Sequence, residues 1–429
     1  MYRFLLFIGC LIGLAACTPK RVTRFATSQD IWRVVDAPPD SSAQRGPRIV
    51  SFRPNSYGTY QDYIPDTSYL DHYPVREIRI NVHFMNTTDS ASNYYGEEAQ
   101  KFVYGWLLSA NKDLRENNQS WLPYSDPLPL IPTRLKLTLT DHPDYPAAGG
   151  VYNHFDDELF YYIHRGRNQN IYDTRVFEKY GIQRDSVLNI FVMPHHPDSI
   201  ASPTYTANGV GAAVGGGIKI AGLYETGQPA WGYRGILNHE VGHVYSLTHS
   251  WLNDGCPDTP SGKNPCWNRT KDAPCDTAAT NNVMEYNALQ NAWTPCQIGK
   301  VRQRMASEDF RYRKFIARKW CRLAEHKTIA IRDSVIWRGA KDLEGNLIVA
   351  EEGYLRIESR ISMPPGSTIT IRPGGRLILG PTARLHNACG KIWEGIVVER
   401  MGRQTGQIVL EGNPVVEQVR NPIPEPPKS

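Results

Sequence analysis

A glutamate and two histidines on one short stretch could together bind a metal ion and catalyse hydrolysis. His239 and His243 are separated by one helical turn, so on a helix both imidazoles lie on the same face and can reach one metal ion. Glu240 stands beside the first histidine and can take a proton from a metal-bound water. The alternative for this spacing is a helix that carries two incidental histidines.

A third histidine makes the metal interpretation more specific. On an uninterrupted helix, His249 would lie far along the axis and away from the face of the first two histidines. We therefore predict that the helix ends near Ser246 and that the chain turns back to deliver His249 as a third ligand. Three protein ligands leave a fourth position for water, which is the arrangement of catalytic rather than structural zinc.

The surrounding residues resemble a known family. The run His239–His249 resembles the HExxHxxGxxH motif of the metzincin metallopeptidases, and its neighbours resemble the pappalysin branch of that clan. Asp258 opens an Asp-Thr-Pro sequence, Asn282–Tyr286 resembles the Met-turn, and Gln297–Met305 resembles the stretch that opens the following helix. The resemblance extends over about residues 75–320.

The resemblance implies a zinc-dependent endopeptidase that hydrolyses peptide bonds in extracytoplasmic proteins or peptides. Glu240 would act as the general base, and Tyr286 could donate a hydrogen bond to the tetrahedral oxyanion. Met284 would lie beneath the metal site as the methionine of the Met-turn. The implied ligands of one catalytic zinc ion are His239, His243 and His249.

Two departures from the family pattern motivate a second hypothesis. Ser246 stands where the family has a glycine in the left-handed conformation, and a side chain there costs about 1–2 kcal/mol. The loop before Asp258 is cut down to Asp254–Pro257, which argues against a calcium ion there. The alternative function is a lipid-anchored binding or adhesion protein with an inactive metzincin-like domain.

The N-terminus has the layout of an export signal. The apolar run Phe4–Ala16 follows Arg3 and is too short to span a bilayer comfortably. Leu14–Cys17 resembles a bacterial lipobox, which implies cleavage before Cys17 and acylation of its thiol. The alternative is an ordinary signal peptide with a chance cysteine. We expect a protein of the bacterial cell envelope, at the outer membrane or cell surface, that contacts the membrane through this anchor only.

The remaining cysteines predict disulfides, because their number is even and the chain is exported. The family resemblance implies the pairs Cys256–Cys275 and Cys266–Cys296, which would staple the loops between the zinc helix and the Met-turn. The pair Cys321–Cys389 is then left to tie the C-terminal region to the catalytic domain.

Composition limits the class of protein. The chain has 429 residues, which suggests about two to three domains. Its 41% hydrophobic and 21% charged residues are typical of a globular protein. The formal net charge of +5 is too small to argue for nucleic-acid binding.

Hydrophobic periodicity predicts the elements that position the histidines. Apolar residues alternate with polar ones in Val75–Met85 and again in Leu135–Leu139, and Val187–Met193 is a continuous apolar run, so we expect three strands. Glu97–Glu116 carries one apolar stripe with helical spacing. Strand, helix and strand in this order favour a twisted α/β sheet with right-handed crossovers.

The glycine-rich stretch Gly209–Gly222 does not have the pattern of a dinucleotide-binding loop. We interpret it as an exposed edge strand that another backbone can approach closely. The resemblance implies that an extended peptide substrate adds to this edge as a further strand.

From about residue 327, short alternating pairs separated by glycines predict an all-β module, either rungs of a solenoid or a small sandwich. The expected fold class is α+β: a metzincin-like catalytic domain with a twisted mixed sheet, a long zinc-binding helix and a Met-turn, followed by this β module. The predicted segments are a lipoprotein signal peptide 1–16, a tether or pro-segment 17–72, a zinc peptidase domain 73–325, a β-rich accessory module 326–421 and a disordered tail 422–429.

Overall fold

The computed structural model describes residues 20–34, 58–89, 93–144, 146–164, 168–205 and 209–424. The predicted signal peptide, Cys17 and residues 425–429 of the predicted tail lie outside this part of the chain. Among the described residues, no helix has both the length and the apolar character needed to cross a bilayer. The first strands are β1 Arg21–Phe25 and β2 Ile31–Val34.

One six-stranded sheet forms the frame of the α/β domain. Its strands are β3 Arg76–Asn86, β4 Leu135–Leu139, β5 Val151–Phe155, β6 Leu188–Met193, β7 Val210–Val214 and β8 Gly217–Ala221. They lie in the order β4-β3-β6-β8-β7, and β5 pairs with the second half of β3. All pairs are parallel except β7 with β8. The three strands predicted from periodicity are therefore present as β3, β4 and β6.

Strand β3 is an interior strand of this sheet, and the side chains on both of its faces are buried from Ile80 to Asn86. The alternating residues predicted to point inward, such as Ile80 and Val82, are fully buried. The residues between them are buried too: His83 lies with its Nε2 atom 3.0 Å from the side-chain oxygens of Asn81 and Asn189. The half-buried strand expected from the alternation is thus buried on both sides, because its polar face is satisfied by other polar side chains.

Helix packing holds the histidine-bearing helix against the sheet. The longest helix, α1, begins at Gly96 and packs the predicted apolar stripe into the core. Trp106 of α1 donates to the carbonyl of Tyr233 at 2.8 Å, directly before the histidine-bearing helix begins. Asp113 of α1 pairs with Arg234 at 2.8 Å. The helices are α1 Gly96–Glu116, α2 Arg175–Tyr180, α3 Pro197–Ile200, α4 Leu223–Thr226, α5 Arg234–Val244 and α6 Pro295–Ala306.

The C-terminal module is a three-sided parallel β-solenoid. Successive short strands stack into three sheets whose inward side chains form one apolar core. The structure thus has the solenoid arrangement and not the sandwich. The module's strands are β9 Ile329–Ile331, β10 Ser334–Trp337, β11 Lys341–Asp342, β12 Leu347–Val349, β13 Tyr354–Ile357, β14 Arg360–Ser362, β15 Thr368–Ile371, β16 Arg376–Leu379, β17 Arg384–His386, β18 Trp393–Met401, β19 Gln404–Thr405, β20 Gln407–Glu411, β21 Val415–Val416 and β22 Val419–Asn421.

Part of the segment 17–72, interpreted from sequence as a tether or pro-segment, belongs to this module. Strand β1 pairs antiparallel with β18, and β2 pairs parallel with β20, so the N-terminal strands continue two of the solenoid sheets. Three of the four residues of β2 are exposed, so its sequence carries no alternation that could reveal a strand. The exact domain boundaries stay a prediction.

A buried ion network and a disulfide join the module to the α/β domain. Asp342 of β11 is almost fully buried and binds Arg360 of the same module at 2.7 Å. The same carboxylate reaches across to Arg313 at 2.9 Å and to Arg76 of β3 at 3.7 Å. The disulfide Cys321–Cys389 connects the same two parts of the chain, as predicted.

We predict that Asp342→Ala destabilises the protein by about 3–5 kcal/mol, because it leaves three guanidinium groups buried without their shared carboxylate. Chemical denaturation followed by tryptophan fluorescence measures the loss. The matched control is Asp144→Ala. The side chain of Asp144 is 79% exposed, so its loss should change the free energy of unfolding by no more than about 0.5 kcal/mol. Equal effects of the two variants would contradict a structural role for the network.

Candidate metal centre

The three predicted ligands converge on one point. The Nε2 atoms of His239 and His243 lie 3.0 Å apart, and the Nε2 atom of His249 lies 3.3 Å from each of them. A tetrahedral zinc ion with bonds of about 2.0–2.1 Å holds its ligand atoms about 3.3 Å apart. The donor set and its spacing therefore fit a zinc-sized metal ion with three nitrogen ligands.

Backbone carbonyls fix the tautomers of two of these rings. The Nδ1 atom of His239 lies 2.6 Å from the carbonyl oxygen of Val283, and that of His243 lies 2.8 Å from the carbonyl oxygen of Leu247. A carbonyl only accepts, so each Nδ1 carries the proton and donates it. Each Nε2 atom then presents its lone pair to the metal position.

The chain turns back at Ser246, as predicted. Ser246 has φ of 70°, in the left-handed region. The N–H of Leu247 donates to the carbonyl of Gly242, and the N–H of Ser246 donates to that of His243, both at 3.0 Å. These two bonds form a Schellman motif, which ends α5 and directs the chain toward His249. The same turn supplies the carbonyl that orients His243.

Aromatic stacking holds the third ring. The imidazole of His249 lies parallel to the indole of Trp251, with 4.3 Å between ring centroids and an angle of 10°. Trp251 in turn contacts Tyr286 edge-on at 4.9 Å. The half-exposed Tyr286 ring also lies 5.1 Å from His249. The predicted tyrosine therefore flanks the metal position on the side open to solvent.

Glu240 is buried beneath the edge strand. Only 4% of its surface is exposed, and burial raises the pKa of its carboxyl group to about 8. Strand β7 passes so close that a Cβ atom on Gly211 would lie 2.5 Å from a carboxylate oxygen of Glu240. Any larger residue at position 211 would therefore force the side chain of Glu240 to move. Of the glycine-rich stretch Gly209–Gly222, only β7 forms the predicted edge, because β8 is an interior strand whose residues are all buried.

The Met-turn supports the helix from below and is fixed to α6. Met284 is fully buried, and its sulfur packs where a side chain on Gly242 would stand. Asn282 accepts a hydrogen bond from the N–H of Met284 at 2.8 Å. The carboxamides of Asn282 and Gln297 exchange two hydrogen bonds of 3.0 Å. The segment Asn282–Tyr286 beneath the metal position is therefore held in place by the first turn of α6.

The predicted pairing of the four loop cysteines is wrong. The structure joins Cys256 to Cys296 and Cys266 to Cys275, instead of forming Cys256–Cys275 and Cys266–Cys296. The carboxylate of Asp258 accepts bonds from the Thr294 hydroxyl and the Cys296 N–H at the start of α6. This contact holds the segment that contains Cys256 against α6, which carries Cys296. Cys266 and Cys275 then close a separate short loop.

Several residues at the site had no signal in the sequence motif. Trp251 stacks on a ligand, and the amide of Gln290, close to the His239 ring, donates to the carbonyl of Glu285 at 2.9 Å. The carboxylate of Glu285 is fully buried and accepts a hydrogen bond from Ser250. An aromatic residue two positions after the third histidine is the one local feature that could have suggested a ring-stacking role.

No family model and no curated protein matches this chain. Among solved structures it is similar to mature mirolysin of Tannerella forsythia in complex with a cleaved peptide, at 17% identity over 56% of this chain and 94% of that chain, with a TM-score of 0.37. Mirolysin in complex with compound 9 gives 17% identity over 56% of this chain and 96% of that chain, with a TM-score of 0.38. A mutant of Tannerella forsythia promirolysin gives 16% identity over 57% of this chain and 84% of that chain, with a TM-score of 0.37.

We predict that His249→Ala lowers the zinc content of the purified protein, because it removes one of three ligand nitrogens. Zinc is measured by mass spectrometry after dialysis against a weak chelator. The control is His196→Ala, since His196 is not among the three converging histidines but precedes α3 and has its ring against Tyr161. Unchanged zinc in His249→Ala would show that the turn at Ser246 does not deliver a ligand.

Proposed function

We propose that this chain is a zinc-dependent endopeptidase of the pappalysin type that cleaves extracytoplasmic proteins or peptides. The observation that carries the proposal is the convergence of three Nε2 atoms within 3.3 Å of each other beside a buried glutamate. This combination of three neutral nitrogen ligands and one carboxylate is suited to metal-assisted hydrolysis.

Each side chain has a definite part in the proposed reaction. A bound zinc ion supplies Lewis acidity toward water and the peptide carbonyl. Glu240 accepts the proton of the attacking water and passes it to the departing amine. Its position under β7 keeps bulk water away from that carboxylate. The hydroxyl of Tyr286 donates a hydrogen bond to the oxyanion.

The edge strand β7 supports an extended substrate. It is the last strand of its sheet and all five of its residues are partly exposed. An extended peptide can add to such an edge through main-chain hydrogen bonds. Because β7 passes directly over Glu240, a peptide paired with it would run past the metal position.

Two features support catalysis over the alternative of an inactive binding or adhesion protein. Ser246 adopts the left-handed conformation that the turn requires, so the departure from glycine costs stability without displacing His249. Glu240 is not engaged by a lysine or arginine among the described residues, so no ion pair occupies the base. The alternative predicts that the purified wild type fails to cleave any protein.

We predict that Glu240→Gln keeps zinc but lowers peptidase activity by about 10²–10⁴-fold, because the carboxamide cannot take up a proton. Cleavage of denatured casein by the mature protein, with and without a zinc chelator, measures the activity. The control is Glu158→Gln, whose carboxylate is 74% exposed and pairs with Arg175. Normal turnover by Glu240→Gln with zinc retained would refute the assignment of the base.

The lipid anchor at Cys17 is a further part of the proposal. Strand β1 begins at Arg21, shortly after this cysteine, and pairs with the solenoid. An acylated Cys17 would therefore place the solenoid, and not the metal centre, nearest the membrane.

We predict that Cys17→Ser abolishes incorporation of labelled palmitate and moves the protein from the membrane fraction to the soluble fraction of the cell envelope. The reason is that a single cysteine thiol carries the acyl chains that hold the protein to the bilayer. Cys10→Ser, which lies in the predicted signal peptide, should leave both properties unchanged. Membrane retention of Cys17→Ser without label would show another means of attachment.

A further inference from the structure

A small cavity lies between the α/β domain and the solenoid, away from the metal centre. Its volume is about 20 Å³, which is close to the space that one water molecule needs. Arg76 of β3, Arg302 of α6 and Lys341 of β11 contribute charged side chains to its wall. The other polar residues in the lining are Tyr63, His72 and Tyr73. Three elements that are distant in sequence therefore meet at one cationic cavity.

The positive charge around this cavity exceeds the negative charge. Each of Arg76, Arg302 and Lys341 is only 8% exposed. Arg76 has two carboxylates at 3.7 Å, those of Asp342 and Glu344. Within the part of the chain that the structure describes, neither Arg302 nor Lys341 has a carboxylate within 4.0 Å. A buried cation without a counter-charge is costly.

Neutral groups only partly replace the missing counter-charge. Arg302 donates to the carbonyl oxygens of Arg134 and Pro74 at 3.3 and 3.4 Å, which are long hydrogen bonds. Lys341 donates to the carbonyl of His72 at 3.3 Å, and its ammonium lies 3.9 Å from the centre of the Tyr73 ring. Carbonyl and aromatic groups attract cations but carry no net charge.

Two further polar atoms, on residues that line the cavity, make no hydrogen bond among the described residues. They are Nη1 of Arg76, which lies 3.7 Å from a carboxylate oxygen of Glu344, and Nε2 of His72, and both residues are more than nine-tenths buried. Burial lowers the pKa of His72 to about 4, so its ring is neutral and one nitrogen carries a proton that can be donated. Buried polar atoms in folded proteins are nearly always paired. The residues that line the cavity therefore carry buried cationic donors whose hydrogen-bonding capacity is not filled by the described residues.

We propose that this cavity binds a small inorganic anion of the size of chloride, which serves as the shared counter-ion of Arg76, Arg302 and Lys341. A water molecule would fit the space but would bring no charge. The anion would contact β3, α6 and β11 together, so it would stabilise the docking of the solenoid on the α/β domain.

Thermal unfolding of the full mature chain tests the proposal. At equal ionic strength, replacing sodium gluconate by sodium chloride should raise the Tm of the wild type by about 2–4 °C, since a ligand that binds only the folded state stabilises it. Lys341→Met should lose this chloride-dependent rise. The control Lys101→Met removes a side chain that is 73% exposed and should keep it. A rise of equal size in Lys341→Met would show a general salt effect and overturn the proposal.

Crystals of the wild type soaked in sodium bromide give a second measurement that needs no variant. Bromide replaces chloride and scatters anomalously, so the expected result is an anomalous peak between Arg302 and Lys341. A cavity with water density and no anomalous peak would overturn the proposal, even if Lys341→Met failed to fold. Neither readout depends on peptidase activity, so the anion site and the proposed catalytic function can fail separately.

Discussion

The structure of the metal centre depends on bringing three imidazole nitrogens within 3.3 Å of each other. Rings this close cannot all be protonated, and burial lowers the pKa of His239 to about 3 and of His249 to about 4. Neutral rings can bind a metal only if each one is turned the right way. Two rings are oriented by backbone carbonyls and the third by the indole of Trp251. The remainder of the α/β domain holds these orienting groups in place.

Helix α6 connects the site to the rest of the molecule. At its first turn, Gln297 exchanges amide hydrogen bonds with Asn282 of the Met-turn. At its last residue, the carbonyl of Ala306 accepts a bond of 2.8 Å from Arg360 of the solenoid. A cation at the C-terminus of a helix is favourable because it satisfies a carbonyl that has no partner within the helix. The solenoid therefore packs against the same helix that supports the floor of the metal site.

Burial of charge is the second constraint on this fold. Asp342 and the arginines around it are removed from water where the two parts of the chain meet. Such groups contribute little net stability when paired, but they penalise any arrangement that separates them. The ion network therefore determines the position in which the solenoid docks, and contributes less to the free energy of docking. Apolar contact and the Cys321–Cys389 disulfide complete the interface.

Short-range pattern in the sequence was enough to predict what depends on neighbours along the chain. The helical spacing of His239 and His243, the end of the helix near Ser246 and the alternation in β3 each involve residues within a few positions, where backbone geometry alone fixes relative position. The family resemblance also predicted that Met284 lies beneath the metal site, and in the structure its sulfur packs against Gly242 of α5.

Only the tertiary structure decided contacts between residues that are distant in sequence. The disulfide partner of Cys256 depends on which loop Asp258 brings to the start of α6, and the family resemblance implied a different partner. The association of β1 and β2 with a solenoid whose first strand in the C-terminal module begins at Ile329 depends on main-chain hydrogen bonds that any residue can make. Backbone pairing and loop proximity have no side-chain period, so the sequence carries no local signal for them.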